Sequence, residues 1–196
     1  MIEDKVWNKN PNKYIIGVDE VGRGSFAGPI SAAAVRVNYF DLQKINGIKD
    51  SKKLSEKNRN KIYELVLENK INFSFHSCSN KEIDLYGIMA TNEKVLKDTI
   101  SDLYIKNDLV YVDHFKINNF DAVSLIKGED NCLPIALASI VAKVLRDEIM
   151  KNLPIKYDVY NFYQNKGYGT KQHREAIKKY GISDLHRKSF NLLPTL

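Results

Sequence analysis

The sequence YIIGVDEVGRGSFAGPISAAAVRV occupies residues 14–37. Its opening run, YIIGV, has the composition of a buried strand and leads into two adjacent carboxylates, Asp19 and Glu20. Because neighbouring strand residues point to opposite faces, we expect the strand to end or bend here if both acids serve one site. Gly22 and Gly24 permit such a change of direction. The closing run, ISAAAVRV, predicts a return strand.

Two acids at a strand end, followed by an arginine between glycines, fit a divalent metal ion together with a phosphate group. Carboxylates are the hard oxygen ligands that Mg²⁺ and Mn²⁺ prefer. Arg23 and the amides of Gly22 and Gly24 can bind phosphate or hydroxyl oxygens. A solvated turn is one alternative interpretation. A dinucleotide-binding loop is disfavoured, because the acids would lie where a pyrophosphate binds and a β-like run follows instead of a helix.

The whole chain has 196 residues, which suits one domain, or one domain with a small appendage, with a proper core. Hydrophobic residues make up 43% and charged residues 28%, as in ordinary soluble globular proteins. The net charge of +6 suits a polyanionic partner, although biased codon usage would also enrich Lys, Asn and Ile. Cys78 and Cys132 lie in segments that look packed, which favours a reducing compartment over a disulfide scaffold.

The N-terminus, MIEDKVWNKNPNK, is polar and contains acids, so we interpret it as neither a signal peptide nor a transit peptide. No apolar run in the sequence approaches membrane-spanning length. We therefore expect a soluble, cytoplasmic protein with no membrane partner.

A second strand is predicted to end in a carboxylate. The apolar run LVYV, residues 109–112, leads directly into Asp113. Open α/β sheets bind their ligands at the carboxyl ends of strands, so Asp113 is a candidate to act together with Asp19. A turn residue or a helix cap is the alternative role for Asp113.

Residues 127–150, KGEDNCLPIALASIVAKVLRDEIM, predict a long, mostly apolar helix from the proline onward. Ser139, Lys143 and Arg146 share one face of this helix. A polar stripe on a buried helix indicates either a salt-bridge network or a face towards a ligand. We expect Arg146 to form a structural ion pair with Asp147.

Local capping signals predict further helices. Ser55 is the predicted N-cap of a helix that runs to about Glu68. Ser79 and Glu82 form a capping box at the start of a short helix, and Thr170 caps a helix near the C-terminus.

These segments resemble ribonuclease HII across nearly the whole chain. That family carries an Asp-Glu pair, a Gly-Arg-Gly loop and an Ala-Gly-Pro stretch in the order seen from Asp19 onward. Where the family has Val-Asp-Gly, this chain has His114 after the aspartate. The sister family, ribonuclease HIII, usually has lysine between the glycines and an additional N-terminal domain, so Arg23 and the short N-terminus favour HII. Further matches are DSKKLS at 50–55, ASIVAKV at 138–144, KGYGT at 166–170 and LHRKSF at 185–190.

The resemblance implies an α/β fold, with a ribonuclease H-like mixed β-sheet flanked by helices and a small helical C-terminal part. We assign residues 1–153 to the catalytic domain and residues 154–196 to a helical extension that completes the substrate groove within the same compact unit. The implied activity is hydrolysis of the RNA strand of RNA–DNA hybrids and nicking 5′ of single ribonucleotides in duplex DNA. The products would carry 5′-phosphate and 3′-hydroxyl ends, and the implied role is removal of misincorporated ribonucleotides.

The resemblance also implies cofactors, partners and site residues. Two divalent ions, Mn²⁺ or Mg²⁺, would lie about 3.5–4 Å apart. Their ligands, which are also the expected catalytic residues, are Asp19, Glu20, Asp113 and Glu129. The expected substrate contacts are Gly22, Arg23, Gly24, Lys52, Lys53, Ser139, Lys143 and Tyr168. The expected partners are RNA–DNA hybrid and ribonucleotide-containing duplex DNA, with a replication clamp as a further candidate, and we expect a monomer.

The fourth carboxylate is where the sequence departs from the family. The family motif is Lys-Gly-Asp, whereas here Gly128 is followed by Glu129 and Asp130. Either Glu129 binds metal and shifts the preference towards Mn²⁺, or the loop slips by one residue and Asp130 takes the position. We favour Glu129, because a slip must be absorbed just before a close-packed helix.

Two other functions are considered, a ribonuclease HIII-like enzyme and a non-catalytic, basic nucleic-acid-binding module on the same fold. The clustered acids disfavour the binding module, because without metal they would repel the phosphate backbone.

Overall fold

The structure, a computed structural model, describes residues 1–48, 54–118 and 120–193. Within these residues five strands form one mixed sheet in the order β3-β2-β1-β4-β5. The strands are β1 Ile15–Val21, β2 Ile30–Val37, β3 Asn72–Cys78, β4 Leu109–Asp113 and β5 Val123–Leu125. β1 pairs antiparallel with β2 and parallel with β4, so the first strand lies in the middle of the sheet. The predicted α/β fold with a mixed sheet is confirmed.

Helices flank the sheet, and several begin where the capping signals predict. The side chains of Ser55, Ser79 and Thr170 each accept a hydrogen bond from a backbone N–H in the first turn of the helix that follows. A 3₁₀ helix spans Ile155–Tyr160. No helix in the three described ranges combines the length and apolar character needed to cross a membrane. The α-helices are α1 Asp4–Trp7, α2 Tyr39–Gln43, α3 Glu56–Glu68, α4 Asn80–Tyr86, α5 Ile88–Leu103, α6 Gly128–Asn131, α7 Leu133–Lys151, α8 Phe162–Asn165 and α9 Lys171–Tyr180.

Helices α7 and α5 cover opposite faces of the sheet. Alternate residues of β1 divide between them, with Ile15 in the core on the α7 side and Ile16 in the core on the α5 side. Gly17 also faces α7, where a Cβ atom would stand 2.1 Å from the carbonyl carbon of Pro134. Only glycine allows the helix to approach this closely, and the approach brings the polar residues of α7 against the end of β1.

The C-terminal part packs against the loop that follows β1. The Phe26 amide donates to the Gly167 carbonyl at 2.8 Å, and the Arg187 amide donates to the Phe26 carbonyl at 2.8 Å. Residues after 153 therefore reach the loop that contains the Gly22–Gly24 segment. The domain boundary at 153/154 and the role of this part in a substrate groove stay predictions. The core of the C-terminal part includes Tyr157, Tyr160, Phe162, Ala176 and Ile177.

Candidate active site

Strand β1 carries Asp19 and Glu20 next to each other. The strand ends at the glycines, as expected, but both acids remain inside it, because its pairing with β2 continues through Val21. Gly22 then turns the chain at φ +85°, in the left-handed region that favours glycine. Strand alternation puts Asp19, which is 6% exposed, on the α7 face. The half-buried side chain of Glu20, at the end of the same strand, still reaches the α7 side, because it lines a cleft with Ser139 and Lys143.

Asp113 ends β4, the parallel neighbour of β1. The Gly128 amide donates to Asp113 Oδ1 at 2.5 Å, so Asp113 holds the segment that carries Glu129. A Cβ at Gly128 would stand 3.0 Å from the same oxygen, which explains glycine at this position. His114 follows at φ +46°, where a residue other than glycine carries a backbone cost of about 1–2 kcal/mol.

Ser139 of α7 connects two of the predicted carboxylates. Its hydroxyl lies 3.5 Å from Glu129 Oε2, and hydrogen bonding with Ser139 lowers the pKa of Asp19. Glu129 thus lies beside the end of β1. Asp130 follows it in α6, and the choice between the two as metal ligand stays a prediction.

The four carboxylates influence one another electrostatically. Burial raises the pKa of Asp19 well above its usual value, and the negative charges of Glu20, Asp113 and Glu129 raise it further. Burial also raises the pKa of Glu20, while the Arg23 guanidinium, 3.8 Å away, opposes that increase. The fold therefore concentrates negative charge at this edge of the sheet, where a bound cation would relieve the repulsion.

The donor set fits a hard divalent cation, because it consists of carboxylates whose mutual repulsion raises a pKa. As the side chains stand, no group of three or more His, Cys, Asp or Glu in the described residues could hold a metal ion. Asp113 is engaged by the Gly128 amide, and Asp19 Oδ1 accepts from the Glu20 amide at 2.8 Å. Metal binding would therefore require some of these side chains to rotate.

A cleft of about 210 Å³ opens beside the carboxylates. Glu20, Glu129, Ser139 and Lys143 line it, so the structure brings together predicted metal and substrate residues from β1, α6 and α7. Arg59 of α3 also lines the cleft. Arg59 was not predicted from the sequence, because a cation on a polar helix is typical of a solvated face.

Lys143 is the partner of Asp147 in this structure. Lys143 Nζ lies 2.7 Å from Asp147 Oδ1, with the two residues four apart on α7. The predicted pairing of Asp147 with Arg146 is therefore wrong. Consecutive helix residues point in different directions, whereas residues four apart face each other. Arg146 instead donates to the carbonyls of Pro29 and Lys166 and to Ser25 Oγ.

Arg146 and Arg187, whose side chains are both fully buried, pack against the Gly22–Gly24 loop from the interior of the protein. Arg187 donates to the Gly28 carbonyl at 3.0 Å and to the Arg23 carbonyl at 2.9 Å. Burial lowers the pKa of Arg187 to about 9, and the charge of Arg146 lowers it further. Neither arginine was predicted from the sequence to support this loop.

The remaining predicted substrate residues lie around this loop, except for two. Tyr168 lies with its ring centroid 5.7 Å from Lys143 Nζ and 5.5 Å from the Arg146 guanidinium carbon, so it adjoins the polar face of α7. The Arg23 side chain is 43% exposed. Lys52 and Lys53 lie outside the described residues.

This fold and site define an α/β protein of the ribonuclease H type, with an acidic centre at the edge of a mixed sheet. The family model described as Ribonuclease HII matches residues 16–193. A ribonuclease HII from Clostridium botulinum (strain Loch Maree / Type A3) is 46% identical over 184 residues, covering 91% of this chain and 68% of the relative. The chain therefore belongs to the ribonuclease HII family, and it is a ribonuclease H enzyme that cleaves RNA–DNA hybrids.

Solved structures agree with this assignment. The ribonuclease HII of Archaeoglobus fulgidus, solved in complex with PCNA, has a TM-score of 0.70 at 25% identity, covering 92% of this chain and 96% of that one. Bst-RNase HIII, solved with Mn²⁺, has a TM-score of 0.72 at 20% identity, covering 94% of this chain and 69% of that one. The second likeness shows the fold alone.

Proposed function

We propose that this chain also nicks duplex DNA 5′ of single embedded ribonucleotides, using two divalent ions held by Asp19, Glu20, Asp113 and Glu129, with a role in removing misincorporated ribonucleotides. The observation that carries the proposal is the cleft lined by Glu20, Glu129, Ser139 and Lys143, beside the buried Asp19. When bound, the ions would supply activation of the attacking water and stabilisation of the leaving 3′ oxygen, leaving 5′-phosphate and 3′-hydroxyl ends. Mn²⁺ or Mg²⁺ is the proposed cofactor, because all four ligands are carboxylates, and Bst-RNase HIII, which shares the fold, was solved with Mn²⁺.

The chain's own residues hold and orient the substrate. Ser139 lies between Asp19 and Glu129, where its one hydroxyl proton is available to either carboxylate. Lys143, which lines the cleft, exchanges its Asp147 partner for a phosphate oxygen of the substrate. Arg23 contributes an exposed cation next to Glu20. The net charge of +6 adds affinity for the nucleic-acid backbone that falls with salt.

The backbone of Gly22, Arg23 and Gly24 reads the ribose 2′-hydroxyl, the group that distinguishes RNA from DNA. Arg187 binds the Arg23 carbonyl from inside the protein, and in a trans peptide the following N–H points the opposite way. The Gly24 amide therefore points away from Arg187. Among the described residues, nothing lies within 4 Å of a Cβ built at Gly24, so a sugar has room there. Tyr168 packs on the neighbouring sugar.

Three duplexes of one sequence test the function, namely all DNA, DNA with one ribonucleotide, and an RNA–DNA hybrid. Each is incubated with Mn²⁺, Mg²⁺ or EDTA, and the product ends are mapped. We expect a metal-dependent nick 5′ of the single ribonucleotide and no cutting of all-DNA duplex. Cleavage of the hybrid alone would refute the proposed action on embedded ribonucleotides, and cleavage in EDTA would refute the role of the ions.

Tyr168→Ala is expected to lower cleavage at a single ribonucleotide roughly 10-fold, because the contact between the ring and the sugar buries apolar surface worth about 25 cal/mol per Å². Cleavage of a long RNA tract should fall less, since the enzyme can bind and cut such a tract at any of several neighbouring ribonucleotides. Tyr168→Phe keeps the ring and should behave like the wild type. Kinetics on both substrates provide the check, and equal losses for Tyr168→Ala on the two would make Tyr168 a structural residue.

Glu129→Ala is expected to abolish metal-dependent cleavage, whereas Asp130→Ala keeps it. The reason is that Glu129 shares Ser139 with Asp19 and raises the Asp19 pKa. Glu129→Asp should improve activity with Mg²⁺ relative to Mn²⁺, because the shorter acid suits the strict octahedral geometry of Mg²⁺ better. Loss of cleavage in Asp130→Ala alone would assign the ligand to Asp130.

Partners and location are proposed on the same basis. The substrates are RNA–DNA hybrid and ribonucleotide-containing duplex DNA, and the protein acts as a monomer in the cytoplasm. A replication clamp is a candidate partner, supported by the complex of the Archaeoglobus fulgidus enzyme with PCNA.

A further inference from the structure

Two histidines that the active site does not use, His173 and His186, lie fully buried in the C-terminal part. Their Nε2 atoms are 3.0 Å apart. Aromatic rings surround the pair, with the Tyr160 ring 4.8 Å from His186 and the Phe162 ring 5.3 Å from His173. A buried pair of titratable rings in direct contact needs a defined proton arrangement, because two N–H groups cannot face each other.

The neighbours determine that arrangement. The Ser183 amide, which can only donate, lies 2.9 Å from His186 Nδ1, so His186 accepts there and carries its proton on Nε2. The Tyr168 carbonyl, which can only accept, lies 2.9 Å from His173 Nδ1, so His173 carries its proton on Nδ1. His186 Nε2 therefore donates to His173 Nε2, and both rings are neutral. Burial lowers the pKa of both groups, which agrees with this assignment.

This hydrogen-bond chain runs in one direction, from Ser183 through His186 and His173 to the backbone of Tyr168. The residue after His186 is Arg187, which binds the Arg23 carbonyl at the start of the peptide that carries the Gly24 amide. The consecutive buried residues His186 and Arg187 thus connect to the two parts of the proposed ribose site, Tyr168 and the Gly22–Gly24 loop. His186 is hydrogen-bonded to His173, which donates to the Tyr168 carbonyl, and Arg187 donates to the Arg23 carbonyl of the loop.

We propose that His173 and His186 are positioning residues for ribose recognition, holding the Tyr168 backbone, and with it the ring, at a set distance from the Gly22–Gly24 loop. The inference rests on the proposed function, in which Tyr168 packs on the sugar. The pair touches neither metal nor substrate. It acts by removing the freedom of the Tyr168 peptide to shift away from the loop.

Two isosteric substitutions separate positioning from packing. The amide nitrogen of Asn corresponds to imidazole Nδ1, so His173→Asn keeps the donor to the Tyr168 carbonyl and loses the contact with His186. The amide of Gln corresponds to Nε2, so His173→Gln keeps the contact with His186 and loses the donor to Tyr168. We expect His173→Gln to lower the ratio of single-ribonucleotide to long-tract cleavage about 3- to 10-fold, as for loss of one hydrogen bond, and His173→Asn to keep it within about 2-fold.

Equal ratios in the two variants, whether both retained or both lost, would overturn the proposal. Imidazole ¹⁵N NMR of the wild-type protein tests the proton arrangement without any activity measurement. We expect the Nδ1–H form for His173 and the Nε2–H form for His186 at neutral pH, and the opposite forms or a charged ring would also overturn the proposal. If the wild type cuts only long tracts, the proposed function fails, while the NMR result still decides on the hydrogen-bond chain.

Discussion

Replacing Asp19 with Asn is expected to abolish metal-dependent cleavage and at the same time to make the metal-free protein more stable. Activity should fall by roughly 10³-fold or more, because metal activation is worth several kcal/mol and each 1.4 kcal/mol is a factor of ten in rate. Stability should rise for a separate reason. Burial and three nearby carboxylates raise the pKa of Asp19 well above its usual value, so its ionised form opposes folding at neutral pH. Asparagine keeps the shape without the charge.

The measurements are kcat/KM with Mn²⁺ and the Tm in EDTA and in Mn²⁺. We expect Asp19→Asn to have a higher Tm than the wild type in EDTA and a smaller increase on adding Mn²⁺, because a ligand stabilises only the state that binds it. Binding to an uncleaved duplex should largely persist.

Asp108→Asn is the matched control. The Asp108 side chain is 7% exposed and pairs with Arg36 at 2.7 Å. It lies just before the start of β4, at the opposite end of that strand from Asp113. Its substitution should therefore lower Tm and leave cleavage unchanged. A lower Tm for Asp19→Asn in EDTA, or turnover close to the wild type, would show that Asp19 is a structural residue.

Local signals in the sequence predicted much of this fold. The caps at Ser55, Ser79 and Thr170 each depend on a side chain and on the amide three residues later, so a few consecutive residues are enough to predict where the helix begins. The strand end at Asp113 follows from an apolar run of strand length in the same way, whereas β1 continues past Asp19 and Glu20 to Val21. The glycines after β1 correctly indicated where the strand turns.

Contacts between distant segments were not predictable from a few consecutive residues. Arg187 bonds to the Arg23 carbonyl across 164 positions, and Arg146 bonds to the Pro29 carbonyl across 117. An arginine that ends on backbone carbonyls has no complementary charge to identify it in the sequence. The same holds for the His173–His186 pair, whose partners are a carbonyl and an amide. The site could be located from motifs, but the buried arginines and histidines that hold its loop and Tyr168 in place could not.

Acid is expected to destabilise this protein through His186. The ordinary pKa of the group is 6.5, and burial together with the neighbouring His173 lowers it to about 4 in the folded state. Between these values the unfolded chain binds a proton that the folded chain does not. Stability from this group is therefore complete above about pH 6.5 and is lost as the pH falls towards 4, by about 3 kcal/mol in total. Burial and the charge of Arg174 lower the pKa of His173 in the same direction.

The difference between the wild type and His186→Gln isolates this effect. Gln keeps a donor towards His173 but does not titrate. The variant loses the acceptor for the Ser183 amide and the ring that packs on Tyr160, so it should be less stable than the wild type at pH 7.5. The gap should narrow, by about 2–3 kcal/mol, as the pH falls to about 4.5. Asp19 and Glu3 have raised pKa values and favour the folded state on acidification, but they contribute equally to both proteins and cancel in the difference. Urea unfolding across this range gives the two curves. Parallel curves would mean that folding leaves the pKa of His186 unchanged, so that the buried ring takes up a proton as readily as it does in the unfolded chain. That result would contradict the hydrogen bond from the Ser183 N–H, because a protonated Nδ1 cannot accept it.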